Sequence, residues 1–267
     1  MFQLIVIFMP KEKKVYSDDG VCFDVIFEKD KEVPDVDILV AGFPGAGLIG
    51  GIAAEQLINN LEMDQIASID CDKFPPTAVV FNGIPRRPVR FFSGNGMMLV
   101  KSDMVIPPEL SPKLAETIIQ FALDNDIEEI IIFDGIPGKG DEESKEERKI
   151  WGVLSSHAAE TEAEDLDLEI ISRGAITGIS SSLLLESHEN QLKTVGMMIE
   201  GKSKMPDPRA AAKLLEKFAD YKELNIETES LLESAEKLEE QYAKMVNQAN
   251  QAQKDIDHRS AHPPLYG

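Results

Sequence analysis

Strand-like and helix-like patterns of hydrophobic and polar residues alternate from about residue 21 to residue 220. Short runs of β-branched and apolar residues predict strands at 36–42, 66–69, 77–81, 89–92, 97–100, 129–133, 151–155 and 194–199. Apolar residues at helical spacing predict helices at 50–60, 111–125, 180–189 and 208–221. This alternation is typical of a largely parallel sheet that helices cover on both faces. We therefore expect an α/β domain with three layers, α/β/α.

Two proline-rich segments interrupt the middle of the pattern. Phe74-Pro-Pro76 and Ile84-Pro-Arg-Arg-Pro88 separate predicted strands, which favours a contiguous antiparallel piece inside a mixed sheet. In contrast, residues 129–133 are almost continuously apolar, as is typical of a strand covered on both faces. Ser111 followed by Pro112 predicts the cap and the first position of the helix 111–125.

The composition changes after residue 224. Between Thr228 and Ile256, small or apolar residues recur alternately after three and four positions, which is a heptad seam over four repeats. The seam predicts a long amphipathic or coiled-coil helix over 225–257. The helix either pairs with another chain or packs on its own domain. Residues 258–267 carry two consecutive prolines and are expected to form an extended tail. The chain thus divides into 1–224, 225–257 and 258–267.

Charge restricts the classes of partner. Lys and Arg number 27 against 48 Asp and Glu, so the net charge is −21 and nucleic acid and anionic membranes are poor partners. The two cysteines, Cys22 and Cys71, cannot build a disulfide framework or a metal site. The apolar start, residues 1–9, precedes its basic residues, unlike a secretory signal, and we interpret it as a buried strand of a cytoplasmic protein.

One glycine-rich segment has the spacing of a nucleotide-binding turn. Gly45, Gly47 and Gly50 fit G-x-G-x-x-G between a predicted strand and a predicted helix, where backbone N–H groups can hold a pyrophosphate. Asp70 follows 20 residues after Gly50, about where a ribose-binding acid is expected. The alternative function is therefore a nucleotide-binding enzyme, either NAD-dependent or an ATP-dependent, ATP-grasp-like ligase. The simpler interpretation of the glycines is a tight strand-to-helix turn that allows close packing.

Other catalytic patterns are incomplete. Residues 134–140 resemble a phosphate loop but lack the G-K-[ST] ending, and Ser182 stands where a nucleophile elbow around Ser180 needs glycine. The four histidines, at positions 157, 188, 258 and 262, are scattered. No catalytic residue, metal site or cofactor is predicted.

The carboxyl end carries a different signal. The chain finishes with Leu265, Tyr266 and Gly267, which is a hydrophobic residue, tyrosine and any residue before the carboxylate. A helix of about 30 residues spans some 45 Å. Ten extended residues add about 30 Å. A body with such an arm could place its carboxylate in a pocket on a separate particle. The simpler interpretation is a frayed terminus.

Taken together, three ordered motifs resemble the archaeal branch of the proteasome assembly chaperone 2 (PAC2) family. Residues 42–51, GFPGAGLIGG, are similar to the family's glycine turn. Residues 174–180 with Leu183-Leu-Leu185 are similar to its central segment, although Ser181 stands where the family often has glycine. Residues 206–212, PDPRAAA, are similar to the Pro-Asp-Pro segment that opens a helix.

This resemblance implies a phosphorylase-like fold, no enzymatic activity, no cofactor, and a homo-oligomeric chaperone of the proteasome core. It also implies a role for Leu265, Tyr266 and Gly267, because family members that engage the assembled core use a C-terminal hydrophobic–Tyr–any-residue (HbYX) motif. In that mode the tail enters pockets between α subunits of the 20S ring, and a lysine there pairs with its carboxylate. Docking of this kind is linked to gate opening without ATP, so the chain is expected to assist assembly or to activate the proteasome.

Overall fold

The structure is a computed structural model that describes residues 13–18, 21–138, 148–202 and 205–236. The strands of the described part are β1 (Lys13–Asp18), β2 (Val21–Phe27), β3 (Ile38–Gly42), β4 (Asp64–Asp70), β5 (Val79–Phe81), β6 (Ile84–Arg86), β7 (Val89–Gly94), β8 (Met97–Ser102), β9 (Glu129–Pro137), β10 (Ile150–Leu154), β11 (Glu169–Ile170) and β12 (Lys193–Gly201). Its helices are α1 (Ile49–Asn60), α2 (Ser111–Leu123), α3 (Glu160–Asp165), α4 (Ile179–Glu189), α5 (Pro208–Lys222) and α6 (229–236).

Ten strands form one mixed sheet in the order β1-β2-β4-β7-β8-β3-β9-β12-β10-β11. The centre, from β8 through β3 and β9 to β12, is parallel. On one side of the centre, each neighbouring pair in the order β1-β2-β4-β7-β8 is antiparallel. The antiparallel piece predicted from the proline-rich breaks is found in β4, β7 and β8, whereas the predicted strand 77–81 becomes β5 and pairs with β6 in a separate sheet. On the other side of the centre, β10 pairs antiparallel with β12, and β11 pairs parallel with β10. The mixed α/β fold is thereby confirmed.

Helices cover both faces of this sheet. Leu39 and Ala41 of β3 belong to the core under α2 and α4, whereas Ile38 and Val40 belong to the core under α1, α3 and α5. This alternation follows from the two-residue period of a strand. All five residues of β3 are buried, because a central parallel strand has a helical layer on each side.

The predicted bounds of these strands and helices agree with the structure to within a few residues, but the predicted cap of α2 is wrong. Ser111 is not the cap of α2, because a 3₁₀ turn over Pro108–Leu110 comes directly before it and makes Ser111 the first helical residue. Its hydroxyl donates to the carbonyl of Pro107 four residues earlier. Strands β1, β2, β6 and β11 and helix α3 were not among the predicted elements, and β6 (Ile84–Arg86) lies in a segment that was interpreted as a proline-rich break.

Helix α6 packs on the domain that precedes it. The first seam positions, Thr228, Leu231 and Ala235, are buried, and the Thr228 hydroxyl donates to Glu216 of α5 over 2.9 Å. Gln56 and Asn60 of α1 bond to the backbone of Glu227. The start of the segment 225–257 therefore belongs to the core of the α/β domain. The rest of that predicted helix, the tail 258–267 and the predicted strand 1–9 lie outside the described residues.

Candidate functional site

The glycine-rich segment forms a tight connection between β3 and α1. A 3₁₀ turn over Ala46–Leu48 leads into α1 at Ile49. Gly47 has φ +62° and Leu48 has φ +53°, both in the left-handed region. Only glycine adopts that region without steric cost, so position 47 depends on its lack of a side chain.

The turn is pressed against the carboxyl end of β9. A Cβ atom on Gly45 would lie 2.1 Å from Oδ1 of Asp134, and one on Gly50 would lie 2.1 Å from the carbonyl oxygen of Phe133. Contacts this short are impossible for real carbon atoms, so both glycines allow close packing with β9. The place where a phosphate would approach Gly45 is filled by a carboxylate of the protein itself, which would repel an anion.

Asp134 is the centre of this contact. Its side chain is buried and accepts hydrogen bonds from the Ser180 hydroxyl, at 2.5 Å, and from the backbone N–H of Gly135, at 2.7 Å. Burial raises the pKa of Asp134 to about 6, although both hydrogen bonds favour the ionised form. Ser180 itself is 1% exposed. Its hydroxyl is therefore closed to a substrate and holds the first turn of α4 against β9.

A second buried acid secures the other side of the turn. Asp207 caps α5 by accepting from the N–H of Ala210, and it also accepts from the N–H of Lys202 and from Arg148, the last at 2.6 Å. Its own N–H donates to the carbonyl of Gly47 over 2.8 Å. The Pro-Asp-Pro segment is thereby joined directly to the glycine turn, and Arg148 compensates the charge of the buried carboxylate.

The three motifs singled out in the sequence thus meet at one place. The glycine turn lies against β9 at Phe133 and Asp134, and Ser180 in the first turn of α4 bonds to Asp134. The Pro-Asp-Pro segment bonds to the glycine turn at Gly47. Asp134 was not among the predicted site residues, although the segment 134–140 that resembles a phosphate loop begins with it. The available signal was an acidic residue directly after the nearly continuous apolar run 129–133. The structure places Asp134 within β9, one residue past the point where the neighbouring strand β3 ends.

Asp70 does not join this cluster. It ends β4, which is separated from β3 by β7 and β8, so about 14 Å of sheet lie between the two strands. Its carboxylate pairs with Arg87 over 2.9 Å. In a dinucleotide-binding domain the ribose-binding acid follows the strand next to the glycine turn. The structure therefore does not bring Asp70 to Gly45, Gly47 and Gly50.

The other residues named from the sequence lie outside the cluster around Asp134 or outside the described residues. Leu265, Tyr266 and Gly267 fall beyond residue 236, where the described chain ends. His157 is almost fully exposed and pairs with Glu160, and Cys71 is buried with a free thiol. Within the described ranges, no group of three or more His, Cys, Asp or Glu side chains is placed to hold a metal ion. None of the described helices is both long and apolar enough to cross a membrane.

Comparisons with known proteins identify relatives over most of the chain. The model of the PAC2 family matches residues 39–246. Uncharacterized protein MJ0106 of Methanocaldococcus jannaschii is 30% identical over 224 residues, which cover 83% of this chain and 90% of that protein.

Two crystal structures from Pyrococcus furiosus share the architecture. One is PbaA, an archaeal homolog of proteasome-assembly chaperone, with a TM-score of 0.73 and 32% identity over 85% of this chain and 95% of the other. The other is PbaB, an archaeal proteasome activator, with a TM-score of 0.72 and 22% identity over 84% and 98% of the two chains. At 22% identity the second likeness concerns the fold alone.

Proposed function

The chain belongs to the PAC2 family, and from this premise we propose that it is a proteasome assembly chaperone or an ATP-independent proteasome activator. The main support is the likeness to PbaA, which is described as a homolog of proteasome-assembly chaperone and is 32% identical over most of both chains. PbaB, described as a proteasome activator, has the same fold. The fold is therefore compatible with both activities.

The chemistry of the described cluster favours a binding protein over an enzyme. Asp134 and Asp207 are buried, and each is satisfied by donors from the protein. Neither carboxylate lines the 390 Å³ groove beside α1 or the 840 Å³ cleft beside β5 and β6. An acid or base in catalysis must reach the reacting atoms of a substrate. We therefore assign the cluster to holding the fold together.

The contact with the proteasome is assigned to Leu265, Tyr266 and the carboxylate of Gly267. In this proposal the tail enters a pocket between two α subunits of the 20S ring, where a lysine pairs with the carboxylate. Burial of Leu265 contributes about 2 kcal/mol and burial of Tyr266 a similar amount. A charge-assisted hydrogen bond at the carboxylate adds about 2 kcal/mol.

One tail alone binds weakly under these terms. After the cost of association, a gain of this size corresponds to a dissociation constant of about 1 mM. Several tails on one oligomer increase the apparent affinity by on the order of a hundredfold, because the second contact is intramolecular. The proposal therefore includes a homo-oligomer that presents several tails to one ring.

The test compares the full chain with a chain lacking residues 265–267. We expect the full chain to be retained by immobilised 20S cores and to accelerate peptide hydrolysis or core assembly, and the truncated chain to do neither. His262→Ala is the matched control, because it alters the tail upstream of the last three residues. Retention of the truncated chain at the level of the full chain would reject the tail as the contact.

A further inference from the structure

The strands β5 and β6 form a separate two-stranded sheet, residues 79–86, which we call the arm. Its apolar side chains are unusually accessible: Val80 is 68% exposed, Phe81 61% and Ile84 53%. Phe81 and Ile84 are paired across the two strands, so both lie on the same face near the turn at Asn82 and Gly83. The tip of the arm is therefore an apolar knob.

Such an arm needs a partner. A hairpin of two strands is at best marginally stable in water, and large apolar side chains are seldom left exposed as a group. The arm stands over a cleft of about 840 Å³ that separates it from the end of α1 and from β4. Its own domain therefore does not cover the knob.

A groove on the same chain matches the knob. It has a volume of about 390 Å³ and lies between the start of α1, the segment after β8 and α6. Its apolar lining is formed by Pro44, Leu48, Ile52, Val105 and Leu231. Leu48 is 40% and Val105 66% exposed, and no residue of the arm lines the groove. A groove of this size accommodates an apolar anchor such as a phenylalanine side chain.

Charge indicates that the occupant is a second copy of this chain. The arm contains one basic residue, Arg86, and no acidic residue, although the whole chain has a net charge of −21. The rim of the groove presents Glu55, whose side chain is 47% exposed and bonded to the buried Lys101. A basic arm and an acidic body attract each other between two copies, whereas two acidic surfaces would repel. Arg86 is the basic residue that the arm would bring to Glu55 of the second copy when Phe81 enters the groove.

We infer that the arm of one copy docks with Phe81 and Ile84 in the groove at Leu48 and Val105 of a second copy. Arm and groove are different surfaces, so the contact is heterologous and repeats around a ring until it closes. This inference goes beyond the proposed contact with the proteasome and does not depend on it. It supplies the geometry by which several tails would be presented together.

The test is a complementation between two surface variants of the full chain. Phe81→Asp disables the arm and Val105→Asp disables the groove, and both positions are exposed, so each variant is expected to fold with an unchanged melting temperature. By light scattering we expect an oligomer for the unmodified chain and a mass near 29.5 kDa for each variant alone. An equimolar mixture retains one intact arm and one intact groove, and should form a dimer of twice that mass.

Leu185→Asp is the matched control, because Leu185 is 65% exposed on α4, away from both surfaces, and should leave the oligomer unchanged. If Phe81→Asp impairs folding, Ile84→Ser serves in its place. The inference is overturned if the arm variant keeps the mass of the unmodified chain, if the mixture stays monomeric, or if the unmodified chain is a monomer. An arm variant that keeps its mass but no longer binds 20S cores would assign the arm to the proteasome instead. Loss of tail binding with an intact oligomer would affect only the proposed function.

Discussion

The Ser180 hydroxyl donates a 2.5 Å hydrogen bond to the buried carboxylate of Asp134, across 46 residues of sequence. This bond joins the first turn of α4, on one face of the sheet, to the middle of β9, which is a central strand of the sheet. Asp134 in turn contacts Gly45 in the turn that leads to α1, on the opposite face. One carboxylate therefore links both helical layers to the central strand.

Replacement of Ser180 by alanine should destabilise the fold. The substitution leaves a buried carboxylate with only one of its two donors, and loss of a hydrogen bond to a buried charged group costs about 1 to 3 kcal/mol. The measurement is the free energy of unfolding in urea. Ser181→Ala is the control, since its hydroxyl donates to the Gly178 carbonyl at the surface and should contribute a few tenths of a kcal/mol. Equal effects of the two substitutions would contradict the role given to Ser180.

The raised pKa of Asp134 predicts a dependence of stability on pH. An unfolded aspartate has a pKa of about 3.9. The folded carboxyl has a pKa of about 6. Between these values the folded chain keeps a proton that the unfolded chain has lost, so the stability due to this group is complete below pH 4 and declines as pH rises through 6. The decline is on the order of 3 kcal/mol.

Asp134→Asn removes this titration and isolates its effect. We expect the free energy of unfolding of the unmodified chain, minus that of the variant, to decrease from pH 4 to pH 6.5 and to be constant above pH 7. Urea unfolding of both proteins in the same buffers measures the difference. A constant difference over the whole range would show that the carboxyl titrates alike in both states.

The glycine turn gives a prediction that separates packing from ligand binding. Gly45→Ala places a Cβ 2.1 Å from Asp134 Oδ1 and should destabilise the fold by about 1 to 3 kcal/mol, as overpacking does. Gly51→Ala is the matched control, because its Cβ would meet no atom closer than 3.8 Å and alanine favours the helix by about 1 kcal/mol.

Thermal shift assays with NAD, NADP, ATP and AMP should show no saturable stabilisation of the unmodified chain. A nucleotide that stabilised it, and failed to stabilise Gly47→Val, would revive the enzymatic alternative.

The strands and helices of the central layers could be predicted because their signals are local. The continuous apolar run at 129–133 identified the strand β9, and helical spacing identified α1, α2, α4 and α5. The prediction that Ser111 caps α2 was wrong because Pro107 and Pro108 start a 3₁₀ turn before it. A rule that considers only the residue type at the cap position does not detect such a turn.

The cluster around Asp134 could not be predicted from any local pattern. Gly45 and Asp134 are distant in the sequence and meet only because β3 and β9 are neighbours in the sheet, which the order of strands along the chain does not reveal. The distance of Asp70 from the turn has the same cause. The chain inserts β7 and β8 between β4 and β3, so an acid at the expected spacing lies at the wrong strand.

Two truncations test whether residues 225–236 belong to the folded domain. A chain that ends at residue 236 is the reference, because it keeps the described contacts of α6 and of the segment before it with α1 and α5. A chain that ends at residue 224 loses the burial of Leu231, worth about 2 kcal/mol. It also loses the bond between Thr228 and Glu216, worth about 1 kcal/mol. Calorimetry should therefore give a lower melting temperature for the chain that ends at residue 224 than for the chain that ends at residue 236. If the two truncated chains melted at the same temperature, residues 225–236 would not contribute to the core, and the groove lined by Leu231 would be open on that side.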